Sequence, residues 1–282
     1  MIHTLPRVTL RIGQRQPYLL MSDLHFGAAD TDDKRIKTEL DWALKNKARI
    51  FIAGDLFDAI FLGDPRYTTS VLAKKFQNTD APMNAILDHA ADTLRPYAHL
   101  IDLIGVGNHE TKVLAKSGYD LVDLLIERLT VGTKHRINHG GYMGVVRLQL
   151  QMGASPALYH IAYHHGWSGA PGMSKGVLDF NKIRIENADC IWLGHRHSRT
   201  ATPEATWYIP VRGDTIAQRN VLNLRTGAYK SASWRQTEDG KYQTKWSREN
   251  GMDLMPESQG GAVIWLGIVK GAPVATLEMG IA

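Results

Sequence analysis

The chain has 282 residues, 44% hydrophobic and 22% charged, which is enough to bury a full core and excludes a disordered or low-complexity polymer. A single cysteine, Cys190, excludes an intramolecular disulfide and a thiolate metal cage, and no apolar run approaches the roughly 20 residues of a membrane-crossing helix. The formal charge of +5 tolerates a polyanionic partner without requiring one. Residues 1–20 alternate like a strand and lack the apolar block of a secretory leader, so a cytoplasmic protein with no membrane partner is expected.

In chain order, Tyr18 to Ser22 reads as a buried strand and Asp33 to Lys47 as a helix with Ile36, Leu40, Ala43 and Leu44 inward. Strands follow at Arg49 to Ala53 and Leu100 to Val106, separated by a helix over Met83 to Leu94. A further helix, Tyr119 to Leu129, carries Leu121, Leu124, Leu125 and Leu129 at core spacing. This alternation implies parallel strands with right-handed crossovers. Beyond Thr133 the texture turns to hairpins: strands at Arg147 to Gln151 and Ala157 to Tyr163, a Gly-rich loop, a helix over Val177 to Glu186 and a short strand at Cys190 to Leu193. Thr226-Gly227 is expected to join Asn220 to Arg225 with Tyr229 to Arg235, and Asp239-Gly240 to precede a strand over Lys241 to Ser247. The expectation is an α/β fold built as a mixed-sheet sandwich, one domain over residues 1–282, with a β-rich finishing layer from about residue 206.

Chemistry gathers at the strand ends. Asp23-Leu24-His25, Gly54-Asp55-Leu56-Phe57-Asp58, Gly107-Asn108-His109-Glu110, His164-His165-Gly166 and Gly194-His195-Arg196-His197 each follow an apolar strand. Strands of a parallel sheet end on one edge, where ligands collect. The i, i+2 spacing of Asp23/His25 and His195/His197 would put each pair on one side of an extended segment. Taken singly, each motif has a plain alternative. Asp-x-His is commonly a solvated turn, and Asp55 could be a helix N-cap. Gly105-Val106-Gly107 hints at a dinucleotide loop, but the third glycine is missing and Asn-His-Glu stands where the helix should start. Five clusters in this order favour a metal site. Asp23, His25, Asp55, Asn108, His165, His195 and His197 make seven nitrogen or oxygen donors and no sulfur, more than one zinc tetrahedron needs. The donors suit two cations sharing a carboxylate and are compatible with Mn²⁺, Fe or Zn²⁺; ligand softness does not choose among these, and Mn²⁺ is the working expectation.

The motif order D-x-H, G-D-x-x-D, G-N-H-E, H-G, G-H-x-H, from Tyr18 to His197, resembles the calcineurin-like metallophosphoesterase superfamily. The wording DLHFG and GDLFD is similar to its bacterial and phage members, which include repair exonucleases and lipid-precursor pyrophosphohydrolases. The resemblance implies an αββα sandwich and hydrolysis of a phosphate ester by a hydroxide bridging two divalent metal ions. It implies one metal held by Asp23, His25, Asp55 and His197, the other by Asp55, Asn108, His165 and His195, with Asp55 bridging. His109 matches the family's proton donor, and Asp58 the carboxylate that orients it. His165 is chosen over His164 because it directly precedes glycine.

Two further signals bear on substrate. Trp167, in a glycine-rich loop after His165, is either a surface residue or a substrate contact over the site. The stretch carrying Arg212, Arg219, Arg225, Lys230, Arg235, Lys241, Lys245 and Arg248 interleaves Tyr229, Trp234, Tyr242 and Trp246. Basic residues alternating with aromatic ones bind phosphates and stack bases, although an ordinary sheet alternates in the same way. A phosphodiesterase or nuclease acting on DNA or RNA is therefore expected, with a small-metabolite phosphatase or pyrophosphohydrolase as the competing reading. A non-catalytic binding module would be favoured by loss of a donor or of His109, and none is lost. The sequence leaves the oligomeric state open.

Overall fold

The computed structural model describes residues 1–60, 72–167, 177–183, 185–210, 214–230, 234–236, 242–244 and 259–279. The chain opens with strands Ile2–Thr4 (β1), Val8–Thr9 (β2) and Gln16–Met21 (β3). Helix Asp33–Asn46 (α1), strand Arg49–Ala53 (β4), helices Lys74–Gln77 (α2) and Pro82–Leu94 (α3), and strand Ile101–Gly105 (β5) follow. Then come helices Asn108–Ser117 (α4) and Leu121–Thr130 (α5) and strands Asn138–His139 (β6), Met143–Met152 (β7), Ser155–His164 (β8) and Cys190–Leu193 (β9). A 3-10 turn, Val177–Lys182, lies between β8 and β9. The remaining strands are Thr200–Tyr208 (β10), Ala217–Arg225 (β11), Trp234–Gln236 (β12), Tyr242–Thr244 (β13), Ala262–Val269 (β14) and Ala272–Met279 (β15).

These strands form two large mixed sheets. One has the order β15-β14-β3-β4-β5-β6, with β3 to β6 parallel and β14 antiparallel to β3. The other runs β1-β7-β8-β9-β11-β10, with β2 also on β7; β8, β9 and β11 are parallel. Period-two alternation explains how the layers stack. Along β3, Leu19 and Met21 pack with Ile36, Leu40, Leu87 and Leu125 under the helices, while Tyr18 and Leu20 meet Leu148, Tyr159 and Trp192 of the other sheet. The sandwich expected from the sequence is present. On the outer face of the second sheet, Ala162, Ile191 and Val221 are covered by Phe180 and Ile183. No helix among the described residues is long and apolar enough to cross a membrane.

Several elements differ from expectation. The inward stripe of α1 runs Ile36, Glu39, Leu40, Ala43, and Leu44 turns outward at 43% exposure. Glu39 takes the core-facing slot because it is satisfied there, accepting from the Tyr229 hydroxyl and from Gly261 N at 3.0 Å. The helix expected over Val177 to Glu186 is a 3-10 turn ending at Lys182. The hairpin across Thr226-Gly227 does not form: β11 pairs with β9 and β10, and Tyr229 is fully buried in the core beneath the helices. Strands β12 and β13 do pair, on either side of Asp239-Gly240, which lies outside the described residues. Of the C-terminal strands, β10 and β11 extend one sheet, β14 and β15 the other, and β12 and β13 pair as a separate two-stranded sheet.

Candidate metal centre

The parallel strands β3, β4 and β5 deliver three loops to one edge, and β8 and β9 deliver two more from the facing sheet. Past their strands the first two loops stay paired: Asp23 N donates to Gly54 O at 3.0 Å, His25 N to Asp55 O at 3.0 Å and Phe26 N to Leu56 O at 2.8 Å. The i, i+2 pairs are not extended, as the spacing argument assumed. Asp23, His25, Asp55, His195 and His197 all sit in the left-handed region, with φ between 45° and 72°. At about 1 kcal/mol each, these five positions hold on the order of 5 kcal/mol of backbone strain. Five left-handed positions whose polar side chains converge make this edge the candidate site and set it apart from a solvated turn.

The side chains form linked groups. Asp23, His25 and His197 make one, Asp55, His165 and His195 another, and His25, Asp55 and His109 connect them, with the candidate donor atoms of each group within 4.8 Å of one another. His25 Nε2 faces His197 Nε2 at 3.1 Å, and His165 Nε2 faces His195 Nδ1 at 3.3 Å. Asp55 Oδ2 and Asn108 Oδ1 lie 3.1 Å and 3.3 Å from His165 Nε2. All seven donors named from the sequence therefore meet at this edge. The two histidines of Gly-His-Arg-His separate, His195 to one group and His197 to the other, and the left-handed backbone at both allows it.

His165 is buried, and its Nδ1 sits 3.0 Å from Ala53 O, which leaves Nε2 to face Asp55. His164 points elsewhere: its Nδ1 accepts from Gly166 N at 2.8 Å and its ring packs against Tyr142 and Trp167. Trp167 lies over that ring, with Lys182 Nζ 4.7 Å above its own, and not over the donor groups.

Protonation favours cation binding. Burial opposes ionisation of Asp23, but the hydrogen bond from His197 and the charge of His165 bring its pKa down to about 2. Asp55, opposed likewise by burial, is held well below the usual carboxylate range by His165 and His109. His25 and His195 are each pushed down to about 4, by burial first and then by the charges of Lys230 and His165 respectively. For His165, burial is outweighed by Asp55 and the pKa rises to about 10. Near neutral pH the site thus presents ionised carboxylates and two neutral imidazoles, the states that ligation requires, and one proton on His165 for a cation to displace.

Around the donors, Asp58 behaves differently from expectation. His109 Nδ1 approaches the Asp58 main-chain carbonyl, not its carboxylate. The carboxylate is fully buried, with Oδ1 3.0 Å from His25 Nδ1, off the line of a hydrogen bond, and 2.9 Å from Lys230 Nζ. Lys230 therefore belongs to the surroundings of this site and not to a solvent-facing stripe. A second residue went unassigned in the sequence reading. Glu110, buried at the start of α4, accepts from Gly107 N at 2.7 Å, Phe57 N at 2.8 Å and Asp55 N at 3.1 Å. It ties the Gly-Asp-x-x-Asp loop to the Gly-Asn-His-Glu loop, and its only signal was its place in the latter motif. Gly107 has no room for a side chain: a Cβ there would lie 2.1 Å from Asp55 Oδ1. A helix does begin at Asn108, the place where the dinucleotide reading needed one, but its first turn holds Asp55 and Glu110 rather than an open anion cradle. A separate group, Asp120, Asp123 and His139, lies at the start of α5, where Asp120 caps Val122 N and Asp123 N.

No family model matches the chain and no curated protein does. Among solved structures it is similar to a Streptococcus pneumoniae protein described as a predicted phosphoesterase, with a TM-score of 0.31 at 11% identity over 94% of this chain and 99% of that one. It is also similar to Entamoeba histolytica Vps29 complexed with zinc, with a TM-score of 0.35 at 11% identity over 93% and 98% of the two chains. Vacuolar Protein Sorting 29 from Cryptosporidium parvum gives 0.32 at 11% identity over 94% and 97%. Likeness at this level transfers no activity.

Proposed function

We propose that the chain is a phosphoesterase of the calcineurin-like metallophosphoesterase type, working with a pair of divalent cations. The observation that carries this reading is the meeting of two His/Asp groups at Asp55 and His25, with ring nitrogens opposed at 3.1 Å and 3.3 Å. Imidazole nitrogens facing each other at that range in a buried site suit a shared cation better than a hydrogen bond between rings. The donor set fits two ions: Asp23, His25 and His197 for one, Asn108, His165 and His195 for the other, and Asp55 for both. Bound there, the pair would activate water and clamp the phosphoryl oxygens.

The protein's own residues supply the rest. With Nδ1 turned to the Asp58 carbonyl, His109 keeps Nε2 on the donor side, 3.8 Å from Asp55 Oδ2. From there it would give its proton to the leaving oxygen, a contribution of roughly 10²–10⁴-fold. Asp58 sets a negative charge 3.0 Å from His25 Nδ1, and Lys230 keeps Asp58 ionised; burial opposes this and the lysine's charge outweighs it.

The finer reading is a phosphodiesterase or nuclease acting on DNA or RNA. Its support is narrower than the sequence suggested. Arg225 and Tyr229 are buried and Lys230 is engaged at Asp58, which takes them out of any base-stacking stripe. Arg212, Lys241, Lys245, Trp246 and Arg248 lie outside the described residues, and so do the side chains of Trp234, Arg235 and Tyr242, so this reading rests on sequence alone. A small-metabolite phosphatase or pyrophosphohydrolase is the competitor. The deciding experiment assays mono- and bis-nitrophenyl phosphate, single-stranded DNA and duplex DNA with Mn²⁺, beside Asp55→Ala. Hydrolysis of any of these, lost together with bound metal in the variant, supports the phosphoesterase; activity on the diester and DNA supports the nuclease. Undiminished metal in Asp55→Ala removes Asp55 from the site, and a monoester-only profile ends the nuclease reading.

A further inference from the structure

The loop after β9 places two donors in different groups while both hold a left-handed backbone, His195 at φ 72° and His197 at φ 54°. From the donor side the loop is held by Asp23, whose carboxylate accepts from His195 N at 3.0 Å and lies 3.5 Å from His197 Nε2. The residue between them supplies an anchor. Arg196 N closes a tight turn onto Gly194 O at 2.9 Å, and its guanidinium Nε donates to Asp179 Oδ2 on the 3-10 turn. Both side chains are largely buried, 14% and 11% exposed.

Asp179 is itself held from other directions. Arg225, 1% exposed in its side chain, brings Nη2 within 3.5 Å of the same Oδ2, and Lys182 Nζ lies 3.6 Å from Oδ1. The Arg225 guanidinium also packs over the Phe180 ring at 5.2 Å. A carboxylate buried between two guanidinium groups is a rigid post, and the Arg196 side chain transmits that rigidity to the backbone that carries it. Strain of about 1 kcal/mol at each histidine is small beside a buried charge-assisted pair, so the anchored conformation wins.

We infer that Asp179 is a positioning residue for the metal pair, acting through Arg196 to keep His195 aimed at Asp55 and His165 while His197 is aimed at Asp23 and His25. The inference deepens the two-cation reading and rests on it. Asp179 touches neither donor group itself; its effect is on geometry.

The test titrates metal-stripped protein with Co²⁺, following visible absorption and equilibrium dialysis, with thermal unfolding of the stripped protein alongside. Arg196→Ala is expected to weaken Co²⁺ binding roughly 10–100-fold and to change the absorption envelope, as loss of a group that orients a ligand does. Arg196→Lys, which keeps charge and stem but not the fork, should recover part of that loss, and it also serves if the alanine variant does not fold. The double variant Asp179→Ala/Arg196→Ala should bind Co²⁺ no more weakly than Arg196→Ala alone, because the two act as one unit. Wild-type affinity and spectrum in Arg196→Ala with only a lowered melting point would overturn the inference, as would losses that add in the double variant. Failure of the wild-type chain to bind Co²⁺ at all would refute the two-cation reading itself, and this inference with it.

Discussion

Removing Glu110 gives the sharpest check on how the site is built. Its carboxylate serves three main-chain N–H groups, of Asp55, Phe57 and Gly107, and the side chain is only 2% exposed. An orphaned buried donor costs about 1–3 kcal/mol, so Glu110→Ala should destabilise by about 3 kcal/mol or more, a large share of a typical stability of about 5–15 kcal/mol. Glu110→Gln is the finer probe. Its amide oxygen can replace Oε2, which serves Asp55 N and Gly107 N, but its NH₂ then meets the Phe57 N–H donor. One bond is lost where three were, and a cost of about 1–3 kcal/mol is expected. The assay is urea unfolding of metal-free protein, followed by Co²⁺ affinity and rate in whichever variants fold. Both loops that Glu110 joins carry donors, so metal affinity should fall in the same order, alanine below glutamine below wild type. A Glu110→Ala midpoint within about 0.5 kcal/mol of wild type, the usual range for an exposed site, would refute the account of Glu110 as the tie between the loops.

Other outcomes follow from the same geometry. His165→Ala should abolish hydrolysis and lower metal content while His164→Ala is milder; the reverse order would mean that the ring against Trp167 is the functional one. His109→Ala should retain both metals and lose rate, and the loss should shrink for leaving groups as acidic as nitrophenol; equal losses across leaving groups would argue for a binding role. Glu39, buried between Tyr229 and Gly261, has its carboxyl pKa raised above the ordinary value by desolvation, against the hydrogen bonds it accepts. A raised folded pKa gives stability that is present below the unfolded value and lost as pH rises through the folded one. Stability of metal-free protein should therefore decline on that rise, and Glu39→Gln should flatten the decline; an unchanged slope in the variant counts against it.

What could be read from the sequence was local. Each of the five clusters follows an apolar strand, and parallel strands bring their ends to one edge, so the convergence of the seven candidate donors was legible from the motifs. The helix and strand stripes of residues 18–129 were legible for the same reason, apart from helices α2 and α4, which were not expected, and the exchange of Leu44 for Glu39. Glu39 looks polar until its partners Tyr229 and Gly261 arrive from far along the chain. Lys230 reads as one more basic residue until Asp58 is found beside it. Thr226-Gly227 has the composition of a hairpin, yet β11 takes neighbours that lie outside any local window. Whether Asp58 meets His109 with carboxylate or carbonyl depends on backbone direction, which residue type does not encode.

The placement of β14 bears on how the chain is made. It zips along β3, pairing Ala262 with Leu20 and Ile264 with Tyr18, so two strands far apart along the chain are neighbours near the centre of one sheet. Until the ribosome has released residues 262–269, one edge of β3 has no partner, and Leu19 and Leu20 stand beside unpaired amides, a ready template for aggregation. Completion of this sheet waits on β14 and is slow, as distant pairing dictates. An arrested nascent chain ending before β14 should resist release from chaperones and be cleaved readily by protease, whereas one extended past β15 should not.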